Sequence, residues 1–358
     1  MFQTIFRKTA GEIKIIPFAL IVFALSGSCS KKGINPAPPQ EQPHEYELLV
    51  VSAPSVNDAY YADYFDAIIS YDIAFAKTVL GKDKNIVLAD RATMPYLRQE
   101  LPDSILLEAN IADIWIRDFA PVVPDRCVKF DYRPRYLPRS DADWIDNSFE
   151  NWFLATNLVY GARSNIILDG GNFVYNGSDK AIVTQRVLED NPSFSREQIE
   201  SEIKEKTCIA QLAIIPCESG DVTGHADGMV MWIDKDKLCV SRYDEPFRSE
   251  LMGILRAAFP DISIIEIPSD WDGRIYNGFP SACGIYANGI MTARYIYLPV
   301  YNMVNDSVVV QIVQSHTRKQ VIPIDASGIC ILGGSVRCLT WQVKGQNMER
   351  LLELAKEK

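Results

Sequence analysis

Gly224-His225-Ala226-Asp227-Gly228 is a polar pentapeptide that runs straight into the apolar Met229-Val230-Met231-Trp232-Ile233. Lys235-Asp236-Lys237 follows as a hairpin turn, then a second apolar run, Leu238-Cys239-Val240-Ser241. Beyond it lie an amphipathic stretch at 249–259 and a further strand-like run at 263–267. Short, wholly apolar runs of this kind read as buried strands, and the amphipathic stretch between them reads as a helix. His225 and Asp227 are two apart, so on an extended strand both side chains face the same side. An imidazole and a carboxylate on one face suit general acid/base work. They also suit metal ligation, but the sequence offers no clear third ligand, so no metal is expected.

The same alternation continues in both directions. Strands are expected at 48–51, 85–88, 114–116, 165–168, 181–184, 211–215, 228–233, 238–241, 263–267, 285–286, 289–294, 320–324 and 329–332. Helical spacing marks 57–80, 305–315 and 347–358, and Ser195 with Gln198 three residues later forms a helix-start signature. No Gly/Ser-rich linker divides residues 46–358, which predicts one α/β domain, although no internal repeat is legible by eye. Residues 1–28 read differently. Arg7, Lys8 and Lys14 precede an eleven-residue apolar run at 15–25, too short to span a bilayer, and Ser26-Gly27-Ser28 lead into Cys29. This is a secretory signal of lipoprotein type, with Cys29 acylated, Leu25 standing four residues before it and the protein exported to the bacterial cell envelope; simple secretion is the alternative. Residues 29–45, rich in Pro and polar groups, form a tether, so contact with the membrane is expected only through the lipid.

The net charge of −10 and pI near 5.0 argue against nucleic acid as a partner, because phosphate binding needs a basic surface. Hydrophobic residues at 47% and charged residues at 23% exclude a disordered or collagen-like chain. Seven cysteines follow Cys29, an odd number that leaves at least one thiol unpaired, and none has zinc-type spacing. Most lie in apolar runs, as buried small hydrophobes do.

Four places interrupt the apolar pattern with reactive groups. Trp115-Ile116-Arg117-Asp118 ends an apolar strand before Pro121, where an ion pair in a turn is the plainer reading. Asp169-Gly170-Gly171-Asn172 follows another strand; two glycines allow a tight turn or a close ligand approach. His225 and Asp227 are the third. The other histidines, His44 and His316, fall in the tether and at a helix end. The fourth is Gly333-Gly334-Ser335-Val336-Arg337-Cys338, a thiol after a Gly-Gly turn. Cys and His together make a nucleophile with its acid/base partner. Carboxylates beside a thiol raise its pKa unless the substrate brings positive charge. A guanidinium does so, and carboxylates bind its planar fork bidentately. The set therefore points to a guanidine substrate.

Trp115-x-Arg117-Asp118, Asp169-Gly170-Gly171-Asn172, Gly224-His225-Ala226-Asp227 and Gly333-Gly334-x-x-x-Cys338 occur in an order and spacing that resemble the Porphyromonas-type peptidylarginine deiminases and the agmatine deiminases, over roughly residues 46–345. The resemblance implies a five-bladed α/β-propeller (the pentein fold) of pseudo-fivefold ββαβ units. It implies Cys338 as nucleophile, His225 as general acid and then base, and Asp118 and Asp227 clamping the guanidinium nitrogens. Asp169 and Trp115 are expected beside the substrate, and no cofactor is needed. The path it implies is a thiouronium formed as ammonia leaves, then hydrolysis to a ureido product. Arg133-Pro134-Arg135 is similar to a segment of the extracellular peptidylarginine branch, where it meets the carboxylate of a C-terminal arginine. That resemblance and the export signal favour peptidyl or free arginine, converted to citrulline, over agmatine, converted to N-carbamoylputrescine. An amidinotransferase, a non-catalytic guanidine-binding lipoprotein and a cysteine peptidase are the competing readings; the last has no use for two carboxylates around the reacting carbon.

Overall fold

The computed structural model describes residues 46–357. The expected signal segment, the expected acylation site Cys29 and the expected tether lie outside the described residues.

The strands fall into five sheets with one shared pattern, plus a two-stranded hairpin of Ile275–Tyr276 and Phe279–Pro280. In the stretch quoted first, Val230–Asp234 pairs antiparallel with Lys237–Ser241, the chain crosses through the helix Phe247–Ala258, and Ser263–Ile267 returns parallel to Lys237–Ser241. The same antiparallel, helix, parallel order recurs on both sides of it. Val174–Tyr175, Lys180–Thr184, the helix Arg196–Thr207 and Gln211–Ile215 make one copy. Ile290–Met291, Tyr295–Val300, the helix Asp306–His316 and Gln320–Asp325 make another. A third has Val128–Asp131 and Ala162–Ile167 in parallel around the helix Arg139–Ala155, with a single antiparallel bridge from Val122 to Val128. In the remaining sheet, Leu48–Ser52 runs parallel to Lys84–Ala89 across the helix Phe65–Val79, Lys84–Ala89 also pairs in parallel with Leu106–Glu108, and the antiparallel partner of Leu48–Ser52 is Trp341–Val343 from the far end of the chain. That last pairing sets Cys338 three residues before a strand locked into the first sheet. Among the described residues no sheet closes on itself.

Strands covered on both faces carry unbroken apolar runs. Leu48, Leu49, Val50 and Val51 are all fully buried, each such side chain stabilising by about 1.5–3 kcal/mol. Ser195 accepts from the backbone N–H of Gln198 at 3.2 Å and donates its own to the Gln198 side chain at 2.8 Å, so the expected capping box opens the helix Arg196–Thr207.

Three expected strands are not strands. Residues 114–116 lead into a single helical turn, Ile116–Phe119. Residues 285–286 form a turn and 329–332 contain the 3-10 turn Cys330–Leu332; the strand expected at 228–233 is present but starts at Val230, after the 3-10 turn Ala226–Gly228. The helix Arg139–Ala155 went unread because its exposed face is dense in Ser, Asp and Asn; its buried face is Ala142, Ile145, Phe149, Trp152 and Phe153. Cys283 and Cys330 are joined in a disulfide, and Cys127, Cys239 and Cys338 are buried free thiols, while Cys208 is exposed.

Candidate active site

Cys338 owes its place to the glycines before it. The 3-10 turn Cys330–Leu332 ends at Gly333 with φ of 103°, a left-handed conformation that favours glycine. At Gly334 a Cβ would run into the Trp115 ring and come within 3.0 Å of the Cys338 Cβ. The thiol is 8% exposed and faces a cavity of about 670 Å³. Its Sγ lies 3.7 Å from Asp227 Oδ2, and the Asn288 side-chain amide donates to it at 3.1 Å.

His225 is extended (φ −80°, ψ 140°) and Asp227 sits inside the following 3-10 turn. The two side chains share the cavity because of that turn, not because of strand alternation as the sequence suggested. His225 Nε2 is 3.1 Å from Asp169 Oδ2, and Nδ1 is 3.8 Å from Asp118 Oδ1. Tyr136 donates its hydroxyl to the same Asp169 oxygen at 3.1 Å. Asp169, expected beside the substrate, therefore stands behind the imidazole and holds it. Asp118 accepts from the Gly171 N–H at 3.1 Å; a Cβ on Gly171 would sit 2.6 Å from that oxygen and strike the His225 ring. The expected Arg117–Asp118 pair does not form. Arg117 turns inward, 5% exposed, and donates to the Arg337 carbonyl at 3.4 Å and to Gln342 at 3.2 Å. Arg337 pairs with Asp227 at 2.7 Å and donates to the carbonyls of Gly170 at 3.3 Å and Phe173 at 2.6 Å, binding the segment that carries Asp227 to the Gly-Gly turn.

Burial opposes a charged His225, but Asp118, Asp169 and Asp227 outweigh it and push the imidazole up to about 10. Burial, together with Asp169, Asp227 and Asp113, pushes Asp118 up to about 7, against the pull of His225. The Cys338 thiol is driven well above its ordinary value by burial, then by Asp227 and Asp118. Without substrate the site thus holds a neutral thiol, an imidazolium and a surplus of acidic groups. A planar cation seated between Asp118 and Asp227 would relieve the carboxylates and stabilise a thiolate at once. Among the described residues no group of three or more His, Cys, Asp and Glu side chains could hold a metal ion.

The rest of the wall is aromatic and acidic. Trp115, Tyr61, Tyr132, Tyr136, Trp144, Trp271 and Phe279 line it, with the carboxylates of Asp58, Asp113, Asp118, Asp141, Glu218, Asp221 and Asp227. No Lys or Arg of the described residues does. Arg133 and Arg135, expected to meet a substrate carboxylate, instead lie against carboxylates of their own chain. Arg133 is 3.4 Å from Asp131, and Arg135 is 3.3 Å from Asp190 and 3.6 Å from Glu189. Their segment reaches the cavity through Tyr132 and Tyr136.

The sequence model of the Porphyromonas-type peptidyl-arginine deiminases matches residues 37–343. The chain belongs to this family. It is accordingly a hydrolase acting on C–N bonds of the guanidine and amidine type, a guanidine deiminase. A Vibrio parahaemolyticus relative, named as a provisional agmatine deiminase, is 23% identical over 291 residues, covering 69% of this chain and 80% of its own. The solved Campylobacter jejuni agmatine deiminase superimposes with a TM-score of 0.71 at 20% identity, over 84% of this chain and 94% of that one. Its Cys-to-Ser variant with substrate bound gives 0.69 at 19% identity, again over 84% and 94%. The deiminase shares their fold.

Two residues of the site escaped sequence reasoning. Arg337 lay inside the quoted Gly-Gly-to-Cys motif but was passed over as spacer; an arginine flanked by Val336 and Cys338 in an apolar run was the available signal. Asn288 lay between two runs taken as strands, and nothing local marks it.

Proposed function

We propose that this protein is an agmatine deiminase, converting agmatine and water to N-carbamoylputrescine and ammonia. One observation carries the choice of substrate: the cavity wall has seven carboxylates and, among the described residues, no Lys or Arg, its one cationic group being the His225 imidazole held by Asp169. Agmatine is cationic at both ends and carries no carboxylate. Free arginine and a C-terminal arginine would each bring an anion into this field, and Arg133 and Arg135 are already engaged with acidic neighbours.

In this mechanism Asp118 and Asp227 bind the guanidinium nitrogens, and the bound cation lowers the thiol pKa so that the thiol proton passes to solvent. The Cys338 thiolate attacks the guanidinium carbon and forms a C–S bond. The C–N bond to the departing nitrogen breaks as His225 gives it a proton, releasing ammonia and leaving a thiouronium. His225, held by Asp169, then takes a proton from water; the oxygen bonds to carbon and sulfur leaves with the electron pair. The reaction needs no added redox partner. We further propose that the five sheets are the blades of a propeller, and that the protein is exported and anchored through an acylated Cys29.

Ureido-product detection on agmatine, free arginine and a peptide ending in arginine tests the reading. Agmatine should show the largest kcat/KM by at least tenfold. A preference for either carboxylate-bearing compound would overturn the choice. The cavity, larger than agmatine requires, favours peptidyl-arginine as the second reading.

A further inference from the structure

We propose that Tyr136 is a positioning residue of this deiminase, its hydroxyl setting the Asp169 carboxylate against the imidazole and sharing that carboxylate's charge, so that His225 can still release its proton. This rests on the reading of His225 as the acid and then the base of the reaction.

Tyr136 follows directly on Arg133-Pro134-Arg135, the segment that the mechanism leaves without a task. The two arginines pin that segment from outside the cavity. Arg133 lies 3.4 Å from Asp131 and 3.9 Å from Asp143, while Arg135 lies 3.3 Å from Asp190 and 3.6 Å from Glu189 in the short helix Arg186–Asp190. Each such pair is weak alone, but together they tie the segment to two separate parts of the chain. Tyr136 turns inward from it and lines the cavity. Its ring meets the His225 ring edge-on at 6.1 Å between centroids and the Phe279 ring at 5.9 Å. Its hydroxyl donates to Asp169 Oδ2 at 3.1 Å, the oxygen that also lies 3.1 Å from His225 Nε2. The other oxygen, Oδ1, is buried and has no hydrogen-bond partner among the described residues. Tyr136 is thus the group, besides the imidazole itself, that fixes how the carboxylate is turned.

A carboxylate that accepts a second hydrogen bond is less basic and holds a neighbouring cation less tightly. His225 needs that restraint. Asp118, Asp169 and Asp227 already push the imidazole up to about 10. An imidazolium held more firmly would be a weaker acid toward the departing nitrogen. The other charged and titratable groups around the pair are accounted for. Asp118 stands 3.8 Å from Nδ1, and Asp227 is paired with Arg337. Asp190 faces Asp169 with Arg135 and Arg186 offsetting it, and Tyr132 interacts with Asp169 and Asp118 from the start of the same segment. Burial and then Asp169 hold the Tyr136 phenol well above its ordinary value, so it stays a donor across the working pH range.

Tyr136→Phe keeps both ring contacts and removes the hydroxyl. The assay is kcat/KM for agmatine from pH 7 to 11, with the His225 ring nitrogens titrated in parallel by NMR of the substrate-free protein. The alkaline limb and the imidazole titration should both move up by about half a unit to one unit. At pH 8 kcat should fall about threefold to tenfold, with KM less affected. Replacing Tyr136 by 3-fluorotyrosine, a stronger donor of nearly the same shape, should move both down, and it carries the test should the first variant not fold. A merely structural role would leave the imidazole titration in place. A titration that stays put, or moves the other way, in either folded protein overturns the proposal. His225→Gln separates this from the underlying reading: undiminished turnover in that variant would remove His225 as acid and base, whatever the Tyr136 variants do.

Discussion

Replacing Asp169 by Asn removes the charge behind the His225 imidazole while keeping the side chain's shape. In the native site His225 Nε2 lies 3.1 Å from Asp169 Oδ2, with side chains 7% and 9% exposed. A hydrogen bond to a charged group in such surroundings contributes about 1.5–3 kcal/mol. At 1.36 kcal/mol per pKa unit, its loss should lower the imidazolium by about one to two units from its native position near 10. Asp118, 3.8 Å from Nδ1, remains and keeps the variant imidazole above that of free histidine. The direction for stability follows. A folded His225 near 10 against 6.5 in the unfolded chain contributes stability that is complete below pH 6.5 and lost as pH rises through 10. Asp118, raised to about 7 from 3.8, costs stability across that lower window, so both groups make the free protein less stable as pH rises. The assay is kcat/KM for agmatine from pH 6 to 10 beside urea unfolding at pH 7 and 9. Asp169→Asn should bring the alkaline limb down by about one to two units and shrink the stability difference between the two pH values. A basic limb identical to that of the unmodified enzyme would refute the assignment of Asp169 to the imidazole.

Cys338→Ser should lower turnover by several orders of magnitude while agmatine still binds, which calorimetry would register; undiminished ammonia release would end the nucleophile reading. Gly334→Ala puts a methyl group into the Trp115 ring and against Cys338, and a misplacement near 1 Å should cost on the order of 10²-fold in kcat, checked by kinetics on protein with an unchanged fold by circular dichroism. The disulfide Cys283–Cys330 closes a loop of 47 residues, so exchanging both cysteines for serine should cost about 4 kcal/mol in urea unfolding on the chain-entropy account.

The chemistry was legible before the fold. Cys338, His225, Asp118 and Asp227 each stand out as reactive groups set into apolar sequence, and glycines mark where chain must approach chain. Gly171 and Gly334 show why: a methyl group at the first would strike His225 and Asp118, and at the second the Trp115 ring. What sequence spacing suggested about local conformation was less secure. Residues 114–116 and 329–332 carry the apolar composition of strands, yet they turn: Trp115 and Leu332 reach the cavity, while Ile114, Ile116, Ile329 and Cys330 are buried in the core without joining a sheet. The recurring strand order of the sheets could not be read locally either, since it resides in strand pairing and any apolar sequence that fits a buried strand serves.

Composition, hydrophobic period and the placing of reactive residues were determined by the sequence alone, because each depends on neighbours a few positions away. Only tertiary structure decided that Asp169 serves the imidazole, that Arg337 anchors Asp227 across 110 residues and that Asn288 reaches Cys338 across fifty. It also set Arg133 and Arg135 against acidic groups of their own chain, leaving the described cavity wall without a Lys or Arg. Hydrogen bonds and ion pairs act over about 3 Å, and which groups come that close is settled by how the sheets pack, not by separation along the chain.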